Sequence, residues 1–167
     1  RSSGVNLDIF KFRNEFNTEK KLQVGMIARL NADKGLDIYL DIAKKLENFN
    51  IKFILVGQID NTITKSKFEL ICADSNVEYL GFIKNIDSIM KNLDVVILPT
   101  RRFEGIPKIL IEAASTGATV ISSNLGGCKD IVINEENGYI LESKNLANQI
   151  ADKLIIIESK RKLLKFF

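Results

Sequence analysis

Short apolar runs alternate with amphipathic segments along most of the chain. The runs are rich in Val, Ile and Leu and are apolar at nearly every position, which is typical of strands buried on both faces of a parallel sheet. The segments between them have helical periodicity. The pattern therefore predicts an α/β domain with a doubly wound, mostly parallel sheet of about six strands. The predicted strands lie in LQVGMIA, IKFILVG, VEYLGFI, DVVILP, ATVISS and NGYIL.

The helix in DKGLDIYLDIAKKL is the best supported by the pattern, and we expect it to begin near Asp33. Its apolar residues recur at the spacing of one helical face, which predicts that this face packs in the core. The core positions are Leu36, Tyr39, Leu40, Ala43 and Leu46. A last helical segment is predicted from about Ser143.

The two ends of the chain differ from this repeating part, which spans residues 21–157. Residues 1–20 are polar, with Phe10, Phe12 and Phe16 spread among charges. They predict a connecting segment that packs on a surface outside this chain. Residues 158–167 continue as a helical tail without a helix stop signal and end on two phenylalanines.

Composition predicts one ordinary soluble domain, with 46% apolar and 27% charged residues among 167. Lys and Arg number 24 against 21 Asp and Glu, an excess too small to predict nucleic-acid binding. The chain has no histidine, and Cys72 and Cys128 lack CxxC spacing, so no zinc site is expected. A disulfide remains possible, although buried thiols of a cytoplasmic protein are favoured. No apolar run reaches the ~18 residues of a membrane span, and the polar start predicts no signal peptide.

The loop after the first predicted strand, ARLNADKG, places Arg29 and Lys34 beside a predicted helix start. Ligands of doubly wound sheets bind at the carboxyl ends of strands, and helix N-termini favour anions. The loop has one glycine rather than the G-x-G-x-x-G of a dinucleotide site. Two cations at this place predict a diphosphate site, with ordinary solvated charges as the alternative.

The loop after the fourth predicted strand begins RRFEGIPKILIEAASTG and carries Glu104 and Glu112. Pro107 suits the first position of a helix, which makes Ile106 the predicted capping residue. Ile106 offers no side-chain oxygen, so the first N–H groups of the helix are available to a ligand.

The two glutamates allow two interpretations. A carboxylate accepts two hydrogen bonds, so each could hold a vicinal diol, and a nucleotide sugar offers one diol on the ribose and one on the sugar. Alternatively, Glu112 lies four residues after Lys108 and could form a helix-surface ion pair, with Glu104 as a solvated loop residue.

Several motifs together resemble the C-terminal, donor-binding half of retaining glycosyltransferases with the two-domain GT-B architecture, in particular the large family numbered four. The resemblance covers residues 21–157 and implies a Rossmann-like domain. Its most specific element is E-x7-E, here Glu104 to Glu112, and GVNLDIF resembles the segment that leaves the N-terminal domain. The motifs are GMIARLNADKG, ILVG, VEYLGFI, DVVILPTRRFEGIPKILIEAASTG, VISSNLGGCKDIV and NGYIL.

The resemblance implies a role for each matching residue. Arg29 and Lys34 would bind the donor diphosphate and stabilise it as it leaves. Glu104 would hold the transferred sugar, and Glu112 would hold the ribose. The remaining donor contacts would come from amides of Gly105, Ile106 and Lys108, from the base-binding region at Phe82 and Ile83, and from Gly126 and Gly127.

Some of these positions allow a simpler role or depart from the family pattern. Gly126 and Gly127 could simply make a tight turn. Asp130 stands where the family commonly has glutamate, and Asn6 stands where it often has aspartate.

The implied reaction moves a sugar from a nucleoside diphosphate sugar to a saccharide or lipid-linked acceptor with retained configuration, without a metal or other cofactor. The acceptor domain is absent, so this chain alone is expected to be inactive. Peripheral membrane contact of the full-length protein stays open. The alternatives are another nucleotide-sugar enzyme, such as an epimerase, and a non-catalytic nucleotide-binding module. A dinucleotide dehydrogenase fits least, because the glycine fingerprint is missing.

Overall fold

The computed structural model describes residues 4–13, 20–60, 64–103 and 105–161. Within these ranges the chain forms six strands, five α-helices and two 3-10 turns. The strands are β1 (Leu22–Ile27), β2 (Ile51–Val56), β3 (Val77–Tyr79), β4 (Val95–Leu98), β5 (Thr119–Ser123) and β6 (Gly138–Leu141). The helices are α1 (Leu36–Lys45), α2 (Lys65–Asp74), α3 (Asp87–Met90), α4 (Lys108–Ser115) and α5 (Leu146–Ser159). The 3-10 turns are Ala32–Lys34 and Gly126–Asp130.

The six strands form a single sheet in the order β3-β2-β1-β4-β5-β6, and every pair is parallel. This confirms the predicted doubly wound α/β fold. The order reverses between β1 and β4, so the chain leaves these neighbouring strands towards opposite sides of the sheet. Such a switch point opens a crevice at the carboxyl ends of the two strands.

Each face of the sheet is covered by its own apolar cluster. One cluster packs α1, α2 and α5 against the sheet, and the other packs α3 and α4. Phe10 is buried in the second cluster. This part of the predicted connecting segment therefore packs on the domain itself, because its ring finds an apolar surface between the helices and the sheet.

Helix α1 buries most of the face that its periodicity predicts. Tyr39, Ala43 and Leu46 are buried, and Leu36 and Leu40 are partly buried against the same cluster. The Tyr39 hydroxyl lies 2.8 Å from the carbonyl oxygen of Ile54 and accepts a hydrogen bond from the Ile54 N–H at 3.1 Å. Burial raises the pKa of this hydroxyl. A polar atom in the core thus joins α1 to β2.

Two helices begin later than the sequence pattern predicts. Helix α1 begins at Leu36 rather than near Asp33, because Gly35 adopts a left-handed conformation with φ 78° and ends the 3-10 turn before it. Helix α5 begins at Leu146 rather than Ser143, since Asn145 is also left-handed, with φ 56°. Left-handed residues interrupt the run of helical dihedral angles, and apolar periodicity does not report them.

Two further features concern the cysteines and the helices. Cys72 and Cys128 are both buried thiols. Among the described helices, none combines the length and the apolar composition that crossing a lipid bilayer requires.

Candidate functional site

The loops that follow β1 and β4 are held together at the carboxyl edge of the sheet. A Cβ atom added at Gly35 would lie 2.0 Å from the carbonyl oxygen of Pro99, so the two backbones touch where only glycine fits. The N–H of Arg101 donates to the carbonyl oxygen of Asp33 at 2.8 Å. The Thr100 hydroxyl donates to the same oxygen at 3.2 Å. The predicted cationic and acidic segments therefore lie on the same edge of the sheet.

Two ion pairs reinforce this junction. The Arg101 guanidinium binds both carboxylate oxygens of Asp37, with Nη2 to Oδ2 at 2.6 Å, and donates to the carbonyl oxygen of Ala32 at 3.1 Å. Arg102 Nε lies 3.1 Å from Asp33 Oδ2. The hydrogen bonds from Arg101 lower the pKa of Asp37, and those to Asp37 raise the pKa of Arg101. Both arginines therefore bind the segment that carries the predicted diphosphate cation Lys34.

Sequence reasoning missed these arginines. The available signal was the RR pair in the loop after β4 and the aspartates of ADKGLD, one in the loop after β1 and one at the start of α1. Pairing them requires the strand order, which places β1 beside β4, and the sequence pattern does not determine that order.

Lys34 is the last residue of the 3-10 turn rather than a residue at the start of α1. Asn31 caps this turn, since its side-chain Oδ1 accepts a hydrogen bond from the Lys34 N–H at 3.1 Å. Lys34 is half-buried, whereas Arg29 is exposed. Both cations lie in the loop after β1, as the sequence predicts. The helix start nearest in sequence to Arg29 is that of the one-turn 3-10 segment, and the one nearest to Lys34 is that of the ten-residue α1. A helix N-terminus favours anions, so the start of α1 lies beside Lys34 in the chain as predicted.

The two predicted carboxylates differ in how far the structure describes them. Glu104 lies outside the described residues. Glu112 lies on α4 and is 6% exposed. The Lys108 Nζ atom is 3.4 Å from Glu112 Oε1. The ion pair that the spacing predicted is therefore formed, but its carboxylate is buried rather than on the helix surface.

The start of α4 also differs by one residue from the prediction. Pro107, not Ile106, is the capping residue, because its ψ of 107° is extended and the helix begins at Lys108. Pro107 makes no side-chain capping hydrogen bond. Proline, like isoleucine, has no side-chain acceptor for the first N–H groups of the helix, so these groups stay available to a ligand at the new boundary.

The glycine pair after β5 packs against the loop that precedes α4. A Cβ atom added at Gly127 would lie 2.5 Å from the carbonyl oxygen of Gly105 and 2.9 Å from Cα of Ile106. Gly126 has a positive φ of 55° and begins a 3-10 turn. The pair thus makes a turn and also lets a third loop approach the crevice closely.

A cavity of about 280 Å³ joins the predicted base-binding region to the cationic loop. Gly57 brings the two together, because a Cβ atom added there would lie 1.8 Å from the carbonyl oxygen of Ala28. Its N–H donates to the carbonyl oxygen of Gly81 at 2.9 Å. Phe82, at this cavity, is 72% exposed. The lining residues are Ile27, Ala28, Arg29, Val56, Gly57, Gln58, Phe82, Ile83 and Ile86.

Two other cavities differ from this one in the charge of their lining or in their position on the sheet. One, of about 500 Å³, includes residues of α1 and α2, and the charged residues of its lining are Asp33, Asp37 and Asp60, so the lining supplies no cation for a diphosphate. The other, of about 450 Å³, lies at the amino edge of the sheet, opposite the crevice. We call it the basic cavity. Its lining residues are Arg13, Lys20, Lys21, Gln23, Lys52, Lys91, Asn92 and Asp94.

The sheet order and the three loops that meet at its switch point define an α/β domain of the nucleotide-binding kind. A family model, described as glycosyl transferases group 1, matches residues 8–166. The chain belongs to this family.

Relatives of known name support the assignment. The chain is 29% identical over 177 residues to the capsular polysaccharide biosynthesis glycosyltransferase CapM of Staphylococcus aureus. This alignment covers 98% of this chain and 46% of CapM. The chain is also 30% identical over 150 residues to a UDP-Gal:alpha-D-GlcNAc-diphosphoundecaprenol alpha-1,3-galactosyltransferase of Escherichia coli, covering 81% of this chain and 38% of that enzyme. The chain thus spans less than half the length of these relatives.

Solved structures agree on the fold. The C-terminal domain of a glycosyl transferase group 1 protein, LpcC of Francisella tularensis, is 26% identical with a TM-score of 0.80, covering 98% of this chain and 92% of that domain. Anabaena HepE, solved in complex with UDP, is 22% identical with a TM-score of 0.77, and the match covers 97% of this chain and 49% of HepE. The near-complete match to an isolated C-terminal domain identifies which half of a longer architecture this chain resembles.

Proposed function

We propose that this chain is the donor-binding half of a retaining glycosyltransferase, which moves a sugar from a nucleoside diphosphate sugar to a saccharide or lipid-linked acceptor. The observation that carries the proposal is the junction between the loops after β1 and β4. Gly35 contacts Pro99, and Arg101 binds both Asp33 and Asp37. Because these contacts fix the two loops at one crevice, a single ligand would contact Arg29 and Lys34 of the loop after β1 and Glu112 of α4.

In this proposal Arg29 and Lys34 bind the donor diphosphate. Negative charge grows on that group as the bond to the sugar breaks, and fixed cations stabilise the charge where it develops. They would do what a metal ion does in other nucleotide-sugar enzymes, so we propose that none is needed. The half-buried position of Lys34 on a capped turn supports its part, since its backbone is held in place before the ligand arrives.

The carboxylates and the glycine loops complete the proposed site. Glu112 would hold the ribose hydroxyls and Glu104 the transferred sugar, with amides of Gly105, Ile106 and Lys108 between them. The cavity at Phe82 and Ile83 would take the base through main-chain groups. Arg29 lines this cavity together with Phe82 and Ile83. The base would therefore lie beside the diphosphate, on the side away from the transferred sugar, as the proposed order of subsites requires.

The acceptor side belongs to the part of the protein beyond this chain. We propose that the rest of the protein binds the acceptor, so that this domain alone binds donor nucleotide without transferring sugar. The names of CapM and of the Escherichia coli galactosyltransferase support a polysaccharide or a diphosphoundecaprenol-linked saccharide as acceptor. A lipid-linked acceptor would bring the full-length protein to the inner face of a membrane as a peripheral protein.

The proposal predicts that one nucleoside diphosphate stabilises the domain against heat. At a hundredfold excess over its Kd, a ligand specific for the folded state adds about 2.7 kcal/mol to the free energy of unfolding. For a domain of this size that raises Tm by roughly 5–11 °C, at about 2–4 °C per kcal/mol. Thermal melts with UDP, GDP and ADP measure the effect, and we expect UDP to act because relatives are described with UDP or UDP-Gal.

Inorganic pyrophosphate is the control for the melts, because it carries the charge of the ligand without its ribose or base. We expect it to raise Tm less than the matching nucleotide does. If UDP, GDP, ADP and their sugar conjugates all leave Tm unchanged, the assignment of this crevice is wrong.

A further inference from the structure

The Lys108–Glu112 ion pair is asymmetric in its exposure to water. The Glu112 side chain is 8% exposed, whereas the Lys108 side chain is 67% exposed. The two atoms that join them, Lys108 Nζ and Glu112 Oε1, are 3.4 Å apart. Burying a carboxylate is costly unless a cation or hydrogen-bond donors lie beside it. Lys108 is the cation beside Glu112 in the ligand-free protein.

The pair is nevertheless easy to separate. A strong charge-assisted hydrogen bond spans about 2.7–2.9 Å, and this contact is longer. Lysine is a point charge on a flexible stem whose donors rotate freely, so it can exchange one anion for another without a fixed geometry. A ligand that offers hydroxyl donors to Glu112 and an anion to Lys108 would satisfy both groups at once.

The position of Lys108 on α4 determines which anion it can reach. Lys108 is the first residue of the helix, and Glu112 lies one turn further in. Helix α4 follows β4, so its start lies at the carboxyl edge of the sheet, where the diphosphate is proposed to bind. An ammonium group that leaves Glu112 towards the helix start would approach that diphosphate.

We propose that Lys108 changes partner when donor binds: its ammonium group neutralises Glu112 in the free protein and a donor phosphate in the complex, where the ribose hydroxyls take its place on Glu112. The inference rests on the proposed function and adds a third cation to the donor site. It gives the site a means of discrimination, because a nucleoside breaks the ion pair without offering a replacement anion, whereas a nucleoside diphosphate supplies one.

The experiment compares uridine with UDP on the Lys108→Ala variant by calorimetric titration, with GDP or ADP and the matching nucleoside if the melts select another base. We expect the Kd of the nucleoside to fall roughly twofold to fivefold, because its ribose no longer competes with an ammonium group. We expect the Kd of the diphosphate to rise roughly tenfold, because a charge-assisted contact is lost. Lys108→Arg keeps the charge and should restore most of the diphosphate affinity.

Lys65→Ala is the matched control. Lys65 is the first residue of α2 and pairs with Glu69 four residues later, at 3.7 Å between Nζ and Oε1, but this pair is exposed and lies on another helix. Its removal should leave both Kd values unchanged. Melts of the ligand-free variants verify that each one folds, which the exposure of both lysines favours.

Opposite changes in the two Kd values support the exchange of partners. Equal weakening of nucleoside and diphosphate by Lys108→Ala would show that Lys108 acts only by supporting the local structure, and no change in either would show that it is outside the site; both outcomes overturn the inference while the proposed function stands. If the unmodified chain binds none of the three diphosphates, the proposed function fails first, and this inference fails with it.

Discussion

Replacing Lys34 with alanine is expected to raise the Kd of the nucleoside diphosphate roughly 10-fold to 100-fold and to leave the Kd of the nucleoside within about twofold. A hydrogen bond to a charged group contributes about 1.5–3 kcal/mol, which corresponds to that range. The large value is expected because the backbone of Lys34 is fixed. Asn31 caps its turn, and Arg101 and Thr100 hold the preceding carbonyl. Calorimetric titration of UDP and uridine measures both constants.

The companion variant Glu112→Ala should behave differently. A ribose is present in nucleoside and diphosphate alike, so loss of the carboxylate is expected to weaken both by a similar factor, roughly tenfold. Lys67→Ala removes an exposed lysine of α2 and controls for the loss of one positive charge in Lys34→Ala. If Lys34→Ala and Glu112→Ala weaken the two ligands in the same proportion, the assignment of phosphate to Lys34 and ribose to Glu112 is contradicted.

A large loss of stability is expected for Gly35→Ala. Left-handed dihedral angles cost a non-glycine residue about 1–2 kcal/mol, and a new Cβ atom 2.0 Å from the Pro99 carbonyl oxygen forces two loop backbones apart. Overpacking of this kind costs about another 1–3 kcal/mol. We expect the free energy of unfolding to fall by roughly 2–5 kcal/mol, which lowers Tm by roughly 4–20 °C. Thermal and urea unfolding curves measure it.

Gly81→Ala is the matched control for this variant. Gly81 has a φ of 74°, close to the 78° of Gly35, but a Cβ atom added there meets nothing within 4 Å. Gly81→Ala should lower the free energy of unfolding only by the cost of the left-handed dihedral angles. The difference between the two variants therefore measures how tightly the loops after β1 and β4 are joined, and equal destabilisation would mean that the contact with Pro99 is not a rigid constraint.

The pattern of apolar positions was sufficient to predict the strands and the class of fold. Buried parallel strands such as β2 and β4 are apolar along nearly their whole length, and this composition is visible without a partner strand. The pattern was less informative at the ends of helices. The start of α1 is set by the left-handed Gly35, which is required by the contact with Pro99, and such a contact between distant segments is not encoded locally.

The candidate site was also predictable only in part, because some of its contacts join distant segments of the chain. Arg29 and Lys34 follow a predicted strand, which was sufficient to place them at its carboxyl end, where the structure has them. The spacing of Lys108 and Glu112 predicted their ion pair, but it did not indicate that Glu112 is buried. The contacts of Arg101 and Arg102 with Asp37 and Asp33 depend on β1 being next to β4, which only the three-dimensional arrangement reveals.

The proposed function requires a nucleoside diphosphate to bind at the switch point, between the loops after β1 and β4. The chain also offers a competing place for an anion, the basic cavity at the opposite edge of the sheet, where Lys20, Lys21, Lys52 and Lys91 are among the lining residues. Net charge alone does not distinguish the two places. Both places include a buried carboxylate, Glu112 at the proposed site and Asp94 at the basic cavity. Asp94 is held by Arg13 at 3.1 Å and by the Gln23 N–H at 2.8 Å, whereas Glu112 pairs with the exposed Lys108 at 3.4 Å. We therefore expect a ribose to bind Glu112 rather than Asp94.

A crystal structure of the domain with bound UDP distinguishes the two places. We expect the diphosphate to contact Arg29 and Lys34 near the start of α4 and the ribose hydroxyls to bind Glu112. A diphosphate bound instead among the lysines of the basic cavity, with the crevice between the two loops empty, would refute the proposed donor site.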